Sequence, residues 1–172
     1  MSEFEQFALD LADTSGKIIR KYFRADLNVE DKADNSPVTV ADRLAETVIR
    51  EMINDKYPTH DILGEEYGFQ NTGSRWKWVI DPIDGTRSFV SGMPIFGTLI
   101  SLLENDVPKL GIIDMPILHE RWFSEFGGDC FFYSTDVDHK KIVCKVSGKE
   151  KIAESILYST DPKMFNSSQK LL

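Results

Sequence analysis

The 172-residue chain is 41% hydrophobic, enough apolar content to bury a core without a disulfide scaffold or a structural zinc, and one globular domain spanning 1–172 is the expectation. Acidic residues outnumber basic ones 28 to 20, and the resulting charge of −8 argues against a nucleic-acid backbone as main partner while suiting cation binding. The cysteines Cys130 and Cys144 have no Cys/His pair at metal-ligand spacing beside them, the N-terminus lacks a signal-peptide pattern, and no apolar stretch approaches the ~20 residues that span a bilayer. Reduced thiols, a cytoplasmic location and no membrane partner are therefore expected.

Phe4, Phe7, Ala8, Leu11, Ile18, Ile19 and Tyr22 recur at three- and four-residue steps, which predicts an amphipathic helix ending near Phe23. After a polar stretch, Thr39 is placed to cap a second helix whose third position is Asp42. Val40, Ala41, Leu44, Ala45, Val48, Ile49, Met52 and Ile53 would form its apolar face, and Tyr57-Pro58 would close it. Ile62-Leu63 reads as a short strand running into Gly64-Glu65-Glu66, and Phe69 to Ser74 as a polar loop. Trp76, Trp78, Val79 and Ile80 predict a strand ending at Asp81. Phe96 to Leu103 and Val107 to Ile113, separated by Glu104-Asn105-Asp106, predict a hairpin in a mainly antiparallel sheet, continued by Arg121-Trp122-Phe123 and by Cys130 to Tyr133.

Two acidic clusters thus fall at strand ends. Asp81 and Asp84 flank Pro82 just before Gly85-Thr86, where a helical turn is expected to begin, and Glu65 follows another strand. Magnesium takes oxygen ligands and keeps several waters, so a few carboxylates plus a substrate phosphate make a sufficient site. Three close carboxylates would otherwise repel one another. The backbone N–H groups of Gly85 and Thr86 at a helix start favour an anion such as phosphate. The Thr86 hydroxyl can orient a water, with Asp42 or Glu65 accepting a proton. Taken singly, Asp-Pro-x-Asp-Gly is more often a turn, Gly64-Glu65-Glu66 a solvated loop, and Asp42 a first-turn carboxylate. Their joint occurrence is what points to a site.

Trp78-Val79-Ile80-Asp81-Pro82-Ile83-Asp84-Gly85-Thr86-Arg87-Ser88-Phe89 resembles the long motif of the inositol monophosphatase family of metal-dependent phosphatases. Lys32-x-Asp34-x-Ser36-Pro37-Val38-Thr39-x-Ala41-Asp42 and Gly64-Glu65-Glu66 match in order. The resemblance runs from about Asp31 to Ile113, and more weakly beyond. It implies a layered αβαβα sandwich and hydrolysis of a small-molecule phosphate monoester with two or three Mg²⁺ ions. Glu65, Asp81 and the Ile83 carbonyl would hold the first ion, and Asp81 would bridge to a second held also by Asp84. Glu65 and Thr86 would place the attacking water, with Asp42 bonded to the Thr86 hydroxyl. Arg87 to Thr98 is similar to the histidinol-phosphatase branch, as is Ser159 to Phe165, so histidinol phosphate is the first expected substrate and inositol monophosphate the second. Arg87 and Ser88 stand between a substrate contact and a surface role.

The family pattern also includes a C-terminal Trp-Asp-x-Ala-Ala-Gly element, whose Asp completes the second metal site and which this sequence does not contain. The expectation is a truncated domain lacking its second half, with an uncovered sheet surface that a homodimer would mask. An inert metal-binding fragment is the rival expectation, and a generic acidic α/β binding module a third.

Overall fold

The computed structural model describes residues 2–25, 29–31, 37–125, 127–135, 140–156 and 158. The segments Lys32 to Ser36 and Ser159 to Phe165, singled out above, lie outside the described residues.

Helix α1, Glu3–Tyr22, starts where the Ser2 side chain accepts from the Glu5 amide, and it buries Phe7, Ala8, Leu11, Ala12, Ser15 and Ile19. Strands β1 (Val29–Asp31) and β2 (Pro37–Thr39) form a small antiparallel pair. Helix α2, Val40–Lys56, begins at the expected Thr39 cap, and the structure closes it as a capping box: Thr39 accepts from the Asp42 amide, and the Asp42 carboxylate accepts from the Thr39 amide. Its buried face departs from the expected one. Val40 and Leu44 are exposed, and the face turned inward carries Ala41, Asp42, Ala45, Glu46, Ile49 and Ile53.

The remaining strands are β3 (Asp61–Gly64), β4 (Gly68–Gln70), β5 (Trp76–Asp84), β6 (Gly97–Glu104), β7 (Val107–Met115), β8 (Glu120–Glu125), β9 (Cys130–Ser134) and β10 (Ile142–Cys144). They join in one eight-stranded sheet in the order β10-β9-β8-β7-β6-β5-β3-β4. Only β3 and β5 run parallel within it, so the mainly antiparallel expectation holds. The β6–β7 connection turns on Asn105 and Asp106, both with positive φ, which matches the right-handed twist of the two strands. Two local expectations change. Phe69 and Gln70 are not loop but part of β4, paired with Leu63 and Ile62. Strand β5 does not stop at Asp81; it continues to Asp84.

Side chains of successive strand residues point to opposite sides. One side packs on α1 and α2: Ile62, Trp78, Ile80, Ile100, Leu102, Ile112 and Phe123 meet Phe7, Leu11, Ile49 and Ile53 in a single core. Each such burial contributes roughly 1.5–3 kcal/mol. The other side carries Leu63, Phe69, Val79, Leu99, Ile113 and Trp122 around the small residues Ser101, Gly111 and Ser124, and part of it forms an apolar cavity of about 450 Å³. The described residues thus supply two layers, helices and sheet, of the expected sandwich. Among them, no helix is long and apolar enough to cross a membrane.

Candidate functional site

The site grows out of an irregularity in β5. Asp81 pairs with Leu99 and Asp84 with Gly97, so three steps on β5 face two on β6. The extra residue makes a bulge, a position where Pro82, which has no N–H to give to the sheet, is tolerated. The Pro82 carbonyl accepts from the Thr98 hydroxyl at 2.8 Å. Ile83 turns into a second apolar cluster with Ile19, Ala41, Ala45, Phe89 and Phe96, leaving Asp84 exposed.

Gly85 follows with φ 93°, and a Cβ there would stand 3.3 Å from the Phe96 Cβ. The left-handed conformation favours glycine, and an added Cβ would press on Phe96. The chain then enters α3, Thr86–Val90, a helix of barely more than one turn. The Thr86 hydroxyl lies 3.0 Å from the Ile83 carbonyl and 3.4 Å from Asp42 Oδ1. Asp42 is almost fully buried, and its Oδ2 accepts from the Thr39 amide at 2.8 Å. Asp42 therefore joins the start of α2 to the start of α3 across 44 residues.

Glu65 is brought up from the other side. Its amide donates to the Ile80 carbonyl at 3.2 Å, which fixes it beside the residue preceding Asp81. The Asp81 carboxyl is pushed up to about 8, by burial first, then by the hydrogen bond and charge of Glu65 and the charge of Asp84, with the Ile83 amide pulling the other way. One of its oxygens, Oδ1, is buried without a hydrogen-bond partner. A buried, unpaired carboxylate oxygen crowded by two further carboxylates is costly unless a cation shares the space. The donor set, all oxygen, fits a hard divalent ion. Among the described residues, no group of three or more His, Cys, Asp or Glu side chains stands in a ready-made metal cage. Magnesium needs only one or two carboxylates beside its waters.

The structure thus brings Asp42, Glu65, Asp81, Ile83, Asp84, Gly85 and Thr86 to one region at the end of β3 and β5. Arg87 is exposed at its rim, while the Ser88 amide and carbonyl close the α3 turn with Gly85 and Met93. One residue escaped the sequence reading. Glu46 is fully buried on α2, and its carboxylate accepts from the Glu66 amide at 2.7 Å, the Tyr67 amide at 3.2 Å and Arg50 Nε at 2.7 Å. The four-residue step from Asp42 through Glu46 to Arg50, set among Ala41, Ala45 and Ile49, was the available signal.

A sequence model described as the inositol monophosphatase family matches residues 1–170. The chain belongs to that family. It is 42% identical over 170 residues to the bifunctional phosphatase IMPL2, chloroplastic, of Arabidopsis thaliana, covering 96% of this chain and 47% of that protein. It is 43% identical over 133 residues to a histidinol-phosphatase of Chlorobaculum parvum, covering 77% and 51% respectively. The fold of this inositol monophosphatase family member is similar to that of the extragenic suppressor protein suhB from Bartonella henselae, with TM-score 0.77 and 28% identity over 86% of this chain and 56% of that one. The chain spans about half the length of the curated relatives it matches.

Proposed function

We propose that this chain carries the larger part of a Mg²⁺-dependent phosphatase site for a small-molecule phosphate monoester, histidinol phosphate first and inositol monophosphate second. The observation that carries the reading is the buried, unpaired oxygen of Asp81, which feels the charges of Glu65 and Asp84 and lies five residues before Thr86, itself in contact with Asp42. Similarity to a histidinol-phosphatase of Chlorobaculum parvum and to an inositol monophosphatase of Mesembryanthemum crystallinum supports the substrate class. A cytoplasmic setting belongs to this reading.

In this reading Glu65, Asp81, Asp84 and the Ile83 carbonyl would hold the magnesium ions. Bound magnesium supplies Lewis-acid charge that makes water a better nucleophile and offsets charge on the phosphoryl group. The chain's own residues do the rest. Glu65 and Thr86 orient the attacking water. The Thr86 hydroxyl passes its proton toward Asp42 Oδ1 as it accepts one from that water. The hydroxyl has one proton, so when it turns to Asp42 Oδ1 it leaves the Ile83 carbonyl oxygen without its Thr86 donor. The amides of Gly85 and Thr86 receive phosphate oxygens as individual donors, since so short a helix sums little dipole.

The test is phosphate release from a panel holding histidinol phosphate and inositol monophosphate, with and without EDTA, for the chain and its Asp84→Asn variant. Release abolished by EDTA and reduced at least ~100-fold by the substitution is expected. Release indifferent to both would defeat the reading. The rival, an inert metal-binding half of a longer enzyme, follows from the half-length match; Mg²⁺ binding without turnover would favour it. A second copy packing on the open sheet face belongs to the proposal as well, and a monomeric mass by light scattering at high concentration would remove it.

A further inference from the structure

We infer that Glu46 is a positioning residue for Glu65, and that α2 acts as a common ruler for the two sides of the site. The inference rests on the metal-site reading above and deepens it.

A carboxylate with no solvent exposure is tolerated only when its oxygens are satisfied. Those of Glu46 are satisfied by the turn that follows Glu65. Oε2 takes the Glu66 amide, while Oε1 takes the Tyr67 amide and Arg50 Nε. The Arg50 guanidinium in turn donates to the Gly68 carbonyl. Three successive residues after Glu65 are therefore held by one helix turn of α2. Gly64, just before it, fits only because it lacks a side chain: a Cβ there would fall 1.9 Å from Glu46 Oε1. Backbone on both sides of Glu65 is thus set against the same carboxylate.

One turn toward the N-terminus of α2, Asp42 holds the Thr86 hydroxyl. Four helical residues rise about 6 Å, and a helix transmits that spacing rigidly. Asp42 and Glu46 accordingly fix Thr86 on one side of the site and Glu65 on the other, at a separation the helix sets. The buried face of α2 gives up two positions of apolar packing to these carboxylates. A turn held only for stability would need neither a buried charge nor its placement one turn from Asp42.

The experiment compares the chain with Glu46→Gln, Arg50→Gln and, as a control on the same helix face, Ile49→Val. Mn²⁺ affinity is measured by calorimetry and amide hydrogen exchange at Glu66 and Tyr67 by NMR. Glu46→Gln is expected to weaken Mn²⁺ about 10- to 100-fold, the range for residues that orient metal ligands. Exchange at both amides should rise while amides elsewhere in the sheet stay protected. Ile49→Val should leave Mn²⁺ affinity unchanged. Arg50→Gln should move both readouts in the same direction by less, and it decides the matter if Glu46→Gln does not fold. Unchanged Mn²⁺ affinity in a folded Glu46→Gln, or equal weakening in Ile49→Val, overturns the inference and leaves the metal-site reading intact. A parent chain that binds no Mn²⁺ defeats that reading itself, and the positioning role falls with it.

Discussion

Asp81 concentrates the chemistry of the site in one side chain. Its carboxyl is raised to about 8 by burial and by the neighbouring Glu65 and Asp84, so below that pH the metal-free folded chain holds a proton there. The unfolded chain releases the same proton near 3.8, the ordinary value. Between these two values the folded state binds more protons, and stability falls as pH rises. The contribution is whole below about 3.8 and gone above about 8. Thermal unfolding in EDTA should therefore occur at lower temperature at pH 9 than at pH 6. Asp81→Asn, which cannot ionise, should flatten that part of the profile. Magnesium favours the ionised carboxylate and should stabilise the parent more at pH 9 than at pH 6. A parent profile that matches Asp81→Asn, with and without magnesium, would show that Asp81 keeps an ordinary carboxyl.

Among the elements, the bulge of β5 and the start of α3 place the proposed site residues Asp81, Asp84 and Thr86, and Gly85 is the turn between them. Alanine there would be forced into a left-handed backbone and against Phe96. Gly85→Ala should lower unfolding free energy by about 1–2 kcal/mol in urea and displace Thr86 from Asp42, reducing turnover more than stability. A variant as stable and as active as the parent would show that the turn relaxes at no cost. This element also marks what the sequence makes legible. The helices α1 and α2 and the β6–β7 hairpin follow from local periodicity, capping and turn residues, and they appear where those signals put them. Asp81-Pro82 reads as a strand end because proline gives no ladder hydrogen bond; only the pairing of Asp84 with Gly97 shows the strand resuming. Strand β4 is hidden for a similar reason. Gly68-Phe69-Gln70 has little strand character of its own and is held from outside by β3 and by Arg50 of α2. The same distant contact is what buries Glu46, whereas a glutamate on a helix is by default a surface residue. Local chemistry of the site was readable; the groups that hold it in place came from elsewhere in the chain.

For the molecule as a whole, the sheet has two unequal faces, and neighbouring residues of β7 report on each. Ile112 is 2% exposed and faces α1 and α2, whereas Ile113 is 47% exposed on the open face with Trp122 and Leu99. The alternation of a strand makes this a sharp comparison, because the two side chains share backbone, neighbours in sequence and intrinsic strand preference. Lysine at 112 would have to bury an unpaired ammonium in the helix-sheet core. Ile112→Lys should cost more than about 4 kcal/mol, enough to leave much of the population unfolded. Lysine at 113 can reach water from the rim of a face that no described residue covers. In dilute solution, where the chain is monomeric, Ile113→Lys should change unfolding free energy by no more than about 0.5 kcal/mol, while lowering the binding of an apolar dye to the open face. Urea midpoints with dye binding as the second readout separate the outcomes. Comparable losses at both positions would mean that the second face is covered in solution, whether by residues outside the described segments or by another copy. A loss confined to Ile112 would leave the two-layer arrangement standing and keep the apolar cavity beside Asp81 open to solvent.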